Sequence, residues 1–427
     1  MRHPVFPAGG IKREVTSIMG QSPAVRQGAA DLTSNDCAAV ADESSRCRGH
    51  GRRMLCAATP VTTSWSWRSG AAPWPDRRRS AFTFNARAAL DLGVRLLGLR
   101  PGDAVLFPAY CCGAELDSLL HAGLRPVFYR VGPDLVPDLE HLDHLQDPAI
   151  KAILVIHYFG RPQPMQPLRE LARRRGLLVI EDCAHALFAL DEEGRPVGDL
   201  ADLAVFSLRK HLPVPDGGMM LVADRLAGEL APRPRSIPWR LALKSAIALA
   251  ALELEHRWPA AIDGLRQRMG VAPRLQPIDA SPQDFPQGAR FEPDSVDWRM
   301  SRLSLAMVAR VDGADIRARR RANFRRLAEA LRASALVRPI WRETPPGASP
   351  WIMPVLPTVP QALCRYMIRH GVEAYRVWPH RHPAVTAAPN IGGIALDAVV
   401  ALPVQQGLDD SDMDRIAELI CQWQADR

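Results

Sequence analysis

The chain has 427 residues, of which 47% are hydrophobic and 23% are charged. These values exclude wholesale disorder, a fibrous repeat and a coiled coil, and the length suits one large two-lobed protein or two to three average domains. We find no signal sequence and no apolar run long enough to span a bilayer, so we expect a cytoplasmic protein. The eight cysteines lack a paired metal-ligand spacing. Neither a metal site nor a disulfide is therefore expected.

The formal net charge of +8 is concentrated near the N-terminus. Residues 1–80 contain 12 Lys/Arg and 6 Asp/Glu, whereas the rest of the chain contains 42 and 40. A nearly neutral body argues against binding to nucleic acid. Only four of the 54 basic residues are lysines, one of them Lys210. A retained lysine is therefore worth inspecting, because arginine cannot replace an amine that must lose its proton and attack.

The predicted elements begin after residue 80, because residues 1–80 lack any helical or strand period and are predicted to be a disordered basic extension. From residue 81 to about 225, short apolar strands alternate with helices, which predicts a largely parallel α/β sheet covered on both faces. In chain order we predict a helix at 88–99, strands at 104–107, 126–129, 152–157, 177–181 and 204–207, and helices at 116–122 and 164–175.

The second half of the chain is more helical. A helical insertion at about 235–275 includes an Ala/Leu-rich helix at 239–258, predicted to be a core or dimer-contact helix. Contact of this helix with a membrane surface is the less favoured alternative. One arginine-faced helix is predicted at 302–334, followed by strands at 351–356 and 399–402 and helices at 360–370 and 410–426. We therefore predict a large domain at 81–300 and a smaller α+β domain at 301–427.

Three polar sites lie at strand ends or a helix start, where open parallel sheets bind ligands. Residues 85–88 (NARA) precede a helix and could offer free N–H groups to an anion, although Asn85 could be only an N-cap. Asp182 ends one apolar strand and could be structural or could face a cationic ring nitrogen. Lys210 follows the next strand and precedes Gly217 and Gly218, which permit close backbone approach; a lone lysine could also be a surface residue.

An aspartate, a lysine 28 residues later and an upstream anion cradle together suit pyridoxal 5'-phosphate (PLP). The Lys210 amine would form a Schiff base with the aldehyde of the cofactor. The Asp182 carboxylate would keep a proton on the pyridine nitrogen, and the cradle would bind the phosphate.

Residues from about 81 to 425 resemble the DegT/DnrJ/EryC1/StrS family of PLP-dependent sugar aminotransferases. The resemblance implies the aspartate aminotransferase-like (type I) fold, with a large domain around a mostly parallel sheet and a smaller α+β C-terminal domain. The resembling stretches are 99–109 (LRPGDAVLFPA), 156–162 (IHYFGRP), 179–185 (VIEDCAH), 206–210 (FSLRK), 216–218 (DGG), 297–300 (DWRM) and 401–403 (ALP).

The resemblance also implies roles for single residues. Lys210 would be the Schiff-base lysine and proton shuttle, and Asp182 would pair with the pyridine nitrogen. The other implied cofactor contacts are His185 on the ring 3-hydroxyl, Ala86, Arg87 and Ser207 on the phosphate, Cys112 at the ring-stacking position with Tyr110 as a substitute, and Asp297 reaching the phosphate of a partner subunit. A homodimer with shared sites is implied.

The implied reaction transfers an amino group from glutamate or glutamine to a keto group on a nucleotide-linked sugar, for polysaccharide or secondary-metabolite biosynthesis. Two alternatives stay open: another PLP reaction such as sugar dehydration, for which His211 would take the place of Lys210, and a non-catalytic PLP-fold protein. His380 and His382 could line the mouth of the site or be ordinary loop residues. No nucleic-acid partner is expected, and membrane contact is not favoured.

Overall fold

The computed structural model describes residues 79–226, 235–268, 292–379, 382–385 and 398–423. The predicted N-terminal extension lies outside these residues except at its end. Residues 79 and 80 belong to a strand, so the prediction of disorder is wrong there. The backbone of Arg79–Thr83 pairs with Gly218–Val222 in an antiparallel ladder, which the N-terminal composition did not indicate.

The strands and helices are labelled in chain order. They are β1 Arg79–Thr83, α1 Ala86–Leu96, β2 Ala104–Pro108, α2 Ala114–His121, β3 Arg125–Tyr129, α3 Leu139–His144, β4 Ile150–Ile156, α4 Met165–Arg175, β5 Leu178–Asp182, β6 Leu203–Ser207, β7 Gly218–Val222, β8 Arg235–Ser236, α5 Trp239–Arg257, α6 Pro259–Arg268, β9 Trp298–Arg299, α7 Arg302–Val308, α8 Gly313–Ala330, β10 Val337–Pro339, β11 Ile352–Pro357, α9 Pro360–Arg369, β12 Tyr375–Arg376, β13 Val400–Pro403 and α10 Asp410–Gln422.

Nine strands form the main sheet, in the order β3-β2-β4-β5-β6-β7-β1-β9-β8. Strands β2 to β6 are parallel, while β7 and β1 run antiparallel to their neighbours. The predicted α/β sheet is confirmed. Because β5 and β6 are parallel neighbours, their carboxyl ends, which carry Asp182 and Ser207, meet at one edge of the sheet.

A second, antiparallel sheet has the order β10-β11-β13-β12. Side chains of α8, α9 and α10 join it in a hydrophobic cluster that includes Phe324, Met353 and Ile416. Other residues of the same region, among them Met307 and Trp378, pack into the core of the main sheet. The domain boundary at residue 301 therefore stays a prediction.

The single helix predicted at 302–334 is wrong. Two helices, α7 and α8, occupy this stretch and are separated at residues 309–312. The Asp312 carboxylate accepts hydrogen bonds from the N–H groups of Ala314 and Asp315, so it caps a new helix inside the periodic stretch. The apolar period continues across the break, which is why the pattern concealed it.

The insertion is helical as predicted. Helix α5 spans Trp239–Arg257, and α6 follows it directly. Within the described part of the chain, no helix has the length and hydropathy needed to cross a bilayer. One face of α5 is exposed, with Trp239 70% and Ile247 59% accessible. The core-helix alternative is therefore wrong for that face.

Candidate active site

A cavity of about 520 Å³ opens at the carboxyl edge of β5 and β6. The first turn of α1, the loop after β2 and the loop between β6 and β7 form its other walls. Seven of the eight side chains predicted from the sequence line it: Ala86, Arg87, Cys112, Asp182, His185, Ser207 and Lys210. They come from four separate segments that only the sheet topology brings together.

Lys210 ends a short 3-10 turn that follows β6, and the Leu208 N–H anchors this turn by donating to the Gly217 carbonyl at 3.1 Å. The Lys210 Nζ lies 4.6 Å from the centroid of the Trp351 ring. Burial lowers the pKa of the Lys210 amine, while the neighbouring Cys112 and Asp182 act in the opposite direction. A less basic amine loses its proton more readily, which is what a nucleophilic lysine needs.

Asp182 is the last residue of β5 and is 7% exposed. Its Oδ1 accepts a hydrogen bond of 2.8 Å from the Ala184 N–H. Burial, followed by the charge of Glu115, raises the pKa of Asp182 from 3.8 to about 6. A cation bound beside Asp182 would reverse this shift, so the site favours a positively charged ligand atom at this position.

The other acid of the pair, Glu181, has a structural role. Its Oε1 accepts from Arg169 at 3.0 Å, and its Oε2 lies 3.0 Å from the His157 Nε2 and accepts from the Gly198 N–H. Burial by itself would raise the pKa of Glu181, but His157 and Arg169 outweigh it and hold the pKa at about 2. His157 Nδ1 in turn accepts from the Gln163 N–H, so both ring nitrogens are occupied. This network holds β4 and β5 together beneath the cavity.

Glu115 lines the cavity and was not singled out from the sequence. Its carboxylate accepts from the Cys112 N–H at 3.0 Å and from the Cys112 thiol at 2.5 Å. Burial, with the charge of Glu115, raises the pKa of the Cys112 thiol, which therefore stays protonated. Cys112 is consequently a donor to Glu115 and not a nucleophile. In the sequence, the only sign of the contact between Cys112 and Glu115 was their separation of three residues at the start of a helix.

His185 is held between aromatic rings. Its ring centroid lies 4.4 Å from that of Trp351 at an interplanar angle of 21°, and 5.7 Å from those of Phe159 and Trp378. Its Nδ1 accepts a hydrogen bond of 3.4 Å from the Phe159 N–H. Burial, with the charge of Lys210, places the pKa of His185 well below 6.5. The imidazole is therefore neutral and carries its proton on Nε2, ready to donate.

Trp351 and Trp378 belong to the C-terminal segment and were not predicted as site residues. Trp378 lines the cavity and has a φ of +50°, in the left-handed region that residues with a Cβ rarely adopt. Trp351 is fixed by the buried Arg320, whose Nη1 donates to the carbonyls of Pro350 and Trp351 at 3.0 and 3.1 Å. Nothing in their local sequence indicates these contacts, since they depend on packing between distant segments.

The predicted anion cradle lies at the N-terminus of α1. The Asn85 side chain accepts from the Ala88 N–H at 2.9 Å and is thus the N-cap. The N–H groups of Ala86 and Arg87 belong to the first helical turn, which has no acceptors within the helix. The Arg87 side chain also lines the cavity, and burial lowers its pKa. Backbone donors, a cation and the helix dipole together suit a phosphate group.

Gly218 lets the cradle approach the sheet. It pairs with Ser207 on one side and Thr83 on the other, and a Cβ at this position would overlap the backbone of Asn85 and Ala86. Gly217, with a φ of +146°, donates its N–H to the Phe84 carbonyl at 2.9 Å. The glycine pair is therefore a steric requirement of the site.

We expect Gly218→Ala to displace the first turn of α1, lower the free energy of unfolding by about 2 kcal/mol and weaken phosphate binding. Thermal unfolding with and without added PLP measures both effects. Gly264→Ala is the matched control, because a Cβ there meets no atom within 4 Å and alanine favours a helix. A Gly218→Ala protein with unchanged stability and cofactor binding would contradict this assignment.

Tyr110 does not take the ring-stacking position. It is fully buried and packs against Trp378 and Tyr158, with ring centroids 4.8 and 5.5 Å away, and it is not part of the cavity wall. Tyr110 and Cys112 do not share one face of a strand, because β2 ends at Pro108 and both residues follow it. Trp378 is the aromatic side chain that reaches the cavity from this cluster.

His211 and His382 do not line the cavity. His211 is buried, and its Nε2 lies 3.2 Å from the Ser349 carbonyl oxygen, so Lys210 and not His211 lines the cavity. His382 is buried with its Nε2 3.0 Å from Asp117 Oδ1. It is a packed side chain and does not line the cavity. His380 lies outside the described residues.

Asp297 is the one predicted site residue that does not line the cavity. It is exposed and immediately precedes β9, which lies between β1 and the edge strand β8. The implied contact with a partner subunit stays a prediction.

The residues that line the cavity fit PLP. Lys210 offers an amine of lowered pKa, Asp182 a buried carboxylate, His185 a neutral N–H donor, and the first turn of α1 an anion cradle. These groups match an aldehyde, a ring nitrogen, a ring hydroxyl and a phosphate, respectively.

The fold is that of solved aminotransferases. The aminotransferase TlmJ from Streptoalloteichus hindustanus superposes with a TM-score of 0.54 at 23% identity, over 91% of this chain and 96% of that one. The sugar aminotransferase CalS13 from Micromonospora echinospora superposes with a TM-score of 0.55 at 22% identity, over 81% of this chain and 87% of that one. At these identities the likeness concerns the fold alone.

Part of the sequence is similar to a known family. Residues 77–235 match the model of the DegT/DnrJ/EryC1/StrS aminotransferase family. The chain is 35% identical over 186 residues to dTDP-4-dehydro-2,3,6-trideoxy-D-glucose 4-aminotransferase from Saccharopolyspora spinosa, over 43% of this chain and 47% of that protein. It is 36% identical over 143 residues to GDP-perosamine synthase from Caulobacter vibrioides, over 33% of this chain and 38% of that protein. The matches thus span less than half the length of these relatives.

Proposed function

We propose that the protein is a PLP-dependent aminotransferase that transfers an amino group from glutamate or glutamine to a keto group on a nucleotide-linked sugar. The observation that carries the proposal is that Lys210 and Asp182 open onto one cavity whose third wall is the anion cradle of α1. The names of the two curated relatives, both concerned with amino sugars on nucleotides, support the acceptor class. The product would serve polysaccharide or secondary-metabolite biosynthesis, and we place the reaction in the cytoplasm.

When bound, PLP supplies an electron sink that makes the hydrogen on the amine-bearing carbon acidic. The chain's own residues supply the rest. Lys210 would hold the cofactor aldehyde and move the proton at its Nζ, and Asp182 would keep the ring nitrogen protonated. His185 would donate a hydrogen bond from its Nε2–H to the ring hydroxyl. Ala86, Arg87 and Ser207 would hold the phosphate.

A homodimer with shared sites is part of the proposal. Asp297 does not line the cavity of its own chain, and its side chain is exposed immediately before β9. An exposed side chain of this kind can reach the site of a second copy if the two chains pair on that side of the molecule.

The test is to purify the protein with added PLP and record its visible absorption. We expect a band from lysine-bound cofactor that disappears on addition of glutamate and returns on addition of a nucleotide-linked keto sugar. A band that does not change on addition of glutamate or glutamine would instead support another PLP reaction such as sugar dehydration. The absence of any band would favour the non-catalytic alternative.

A further inference from the structure

Helix α5 of the insertion is apolar on two sides. Its inner side contributes Ser245, Ala248, Leu249 and Leu252 to the cavity wall, and Leu249 also packs against the main core. The inner side therefore faces the cavity and the main core. A helix that is apolar all round is normally covered on every side.

The opposite side of α5 is not covered within the described residues. Trp239, Leu243, Ile247, Leu254 and Trp258 are 70, 51, 59, 45 and 52% exposed, and we call these five the outer stripe. Trp239, Leu243 and Ile247 are four residues apart, and Leu254 follows Ile247 by seven, so these four lie along one helical face. Trp258 follows Leu254 by four and is the C-cap of the helix. Contiguous apolar side chains of this size on a surface mark a place where something binds.

The charges beside the outer stripe are cationic. Arg240, Lys244 and Arg257 are exposed, whereas the acidic residues of α5 are turned inward, Glu253 half-buried and Glu255 buried. The guanidinium groups of Arg240 and Arg257 lie over the rings of Trp239 and Trp258, 5.6 and 5.4 Å from their centroids. Each end of the stripe thus presents an aromatic ring together with a cation.

We propose that the outer stripe docks on an acidic lipid bilayer. Tryptophan rings favour the boundary between headgroups and acyl chains, the three aliphatic side chains between them would enter the apolar layer, and the flanking cations would meet anionic headgroups. This revises the expectation from sequence that membrane contact is not favoured. The sequence pattern located the helix but not the side that is left exposed.

A second copy of the chain fits the outer stripe less well. Two α5 helices related by a twofold axis and packed antiparallel would bring the cation at the start of one helix against the cation at the end of the other. Like charges in contact oppose association, whereas an anionic bilayer neutralises both ends. The inner side of α5 lines the cavity, so docking would hold the cavity within about one helix diameter, roughly 10 Å, of the lipid surface.

The test is flotation of the full-length protein with vesicles of pure phosphatidylcholine and with vesicles of equal parts phosphatidylcholine and phosphatidylglycerol. We expect the protein to float with the mixed vesicles at low salt and to be released as salt is added, because screening weakens attraction to the headgroups. The double variant Leu243→Ser/Ile247→Ser should bind roughly tenfold more weakly. Lys244→Glu should have a similar effect on the mixed vesicles.

Leu303→Ser is the matched control, since Leu303 on α7 is 48% exposed and lies outside α5. It should float like the wild type. Failure of the wild type to float, or equal flotation of the α5 variants, would overturn the proposal. If the wild type stayed in solution and the α5 variants halved the mass seen by light scattering, the stripe would be a contact between copies. The readout needs no catalysis, so it is independent of the proposed function.

Discussion

Lys210→Ala is expected to lower the rate of amino transfer by roughly ten-thousand-fold, which is the scale of a lost nucleophile and acid–base group. Among the described residues that line the cavity, Lys210 has the amine that can form a bond with the cofactor aldehyde and also move a proton. The visible band of lysine-bound PLP should disappear in the same variant. Steady-state rates with glutamate and a keto sugar, together with the absorption spectrum, measure both effects.

The control for this prediction is Lys151→Ala. Lys151 is another of the four lysines, is exposed, and donates only to the Pro148 carbonyl at 3.0 Å. Its loss should leave the spectrum and the rate unchanged. A Lys210→Ala protein that folds, as judged by its thermal unfolding, and keeps either the band or the rate would show that Lys210 is not the reactive amine.

Asp182→Asn is expected to weaken PLP binding by roughly 100-fold, because removing one partner of a buried charge pair costs about 3 kcal/mol. The raised pKa of Asp182 adds a pH dependence. In the ligand-free chain, protonated Asp182 stabilises the fold; this contribution is complete below 3.8 and is lost as the pH rises through about 6. A cationic ring nitrogen needs the carboxylate instead, so wild-type affinity should fall as the pH drops through about 6.

Titrating PLP at pH values on either side of 6 measures this dependence, which should be absent from Asp182→Asn. Thermal unfolding of the ligand-free proteins provides the control. At alkaline pH the variant should be more stable than the wild type, because it removes a desolvated charge and can keep the hydrogen bond from Ala184. The assigned role of Asp182 would be contradicted if the variant bound PLP as tightly as the wild type. It would also be contradicted if the affinity of the wild type for PLP did not change with pH.

The candidate site could be located from sequence because its main residues lie where predicted strands end. Asp182 and Lys210 follow two apolar strands, and the order of strands in an α/β sheet places such ends on one edge. The cradle at residues 85–88 was recognisable for a similar reason, since small and polar residues precede an amphipathic helix. Local patterns therefore sufficed wherever the site is built from the ends of regular elements.

The other side chains of the site could not be predicted from those local patterns. Glu115 acts through Cys112, while Trp351 and Trp378 reach His185 from the C-terminal segment. Their positions depend on long-range packing, including the buried Arg320 that holds the backbone of Trp351. A period of apolar residues carries no information on such contacts.

The sequence by itself determined the alternation of strands and helices, and it located the lysine and the aspartate of the candidate site. Each of these features depends on the spacing of residues over a short stretch. Only the tertiary structure decided that residues 79 and 80 join the sheet, that the helix predicted at 302–334 is interrupted before Asp312, and that α5 has one side on the cavity and one side exposed. The physical reason is that strand pairing, helix capping and burial depend on residues that are distant in the sequence and compete for the same backbone groups and surface. The apolar pattern of a helix does not show which of its sides will be buried.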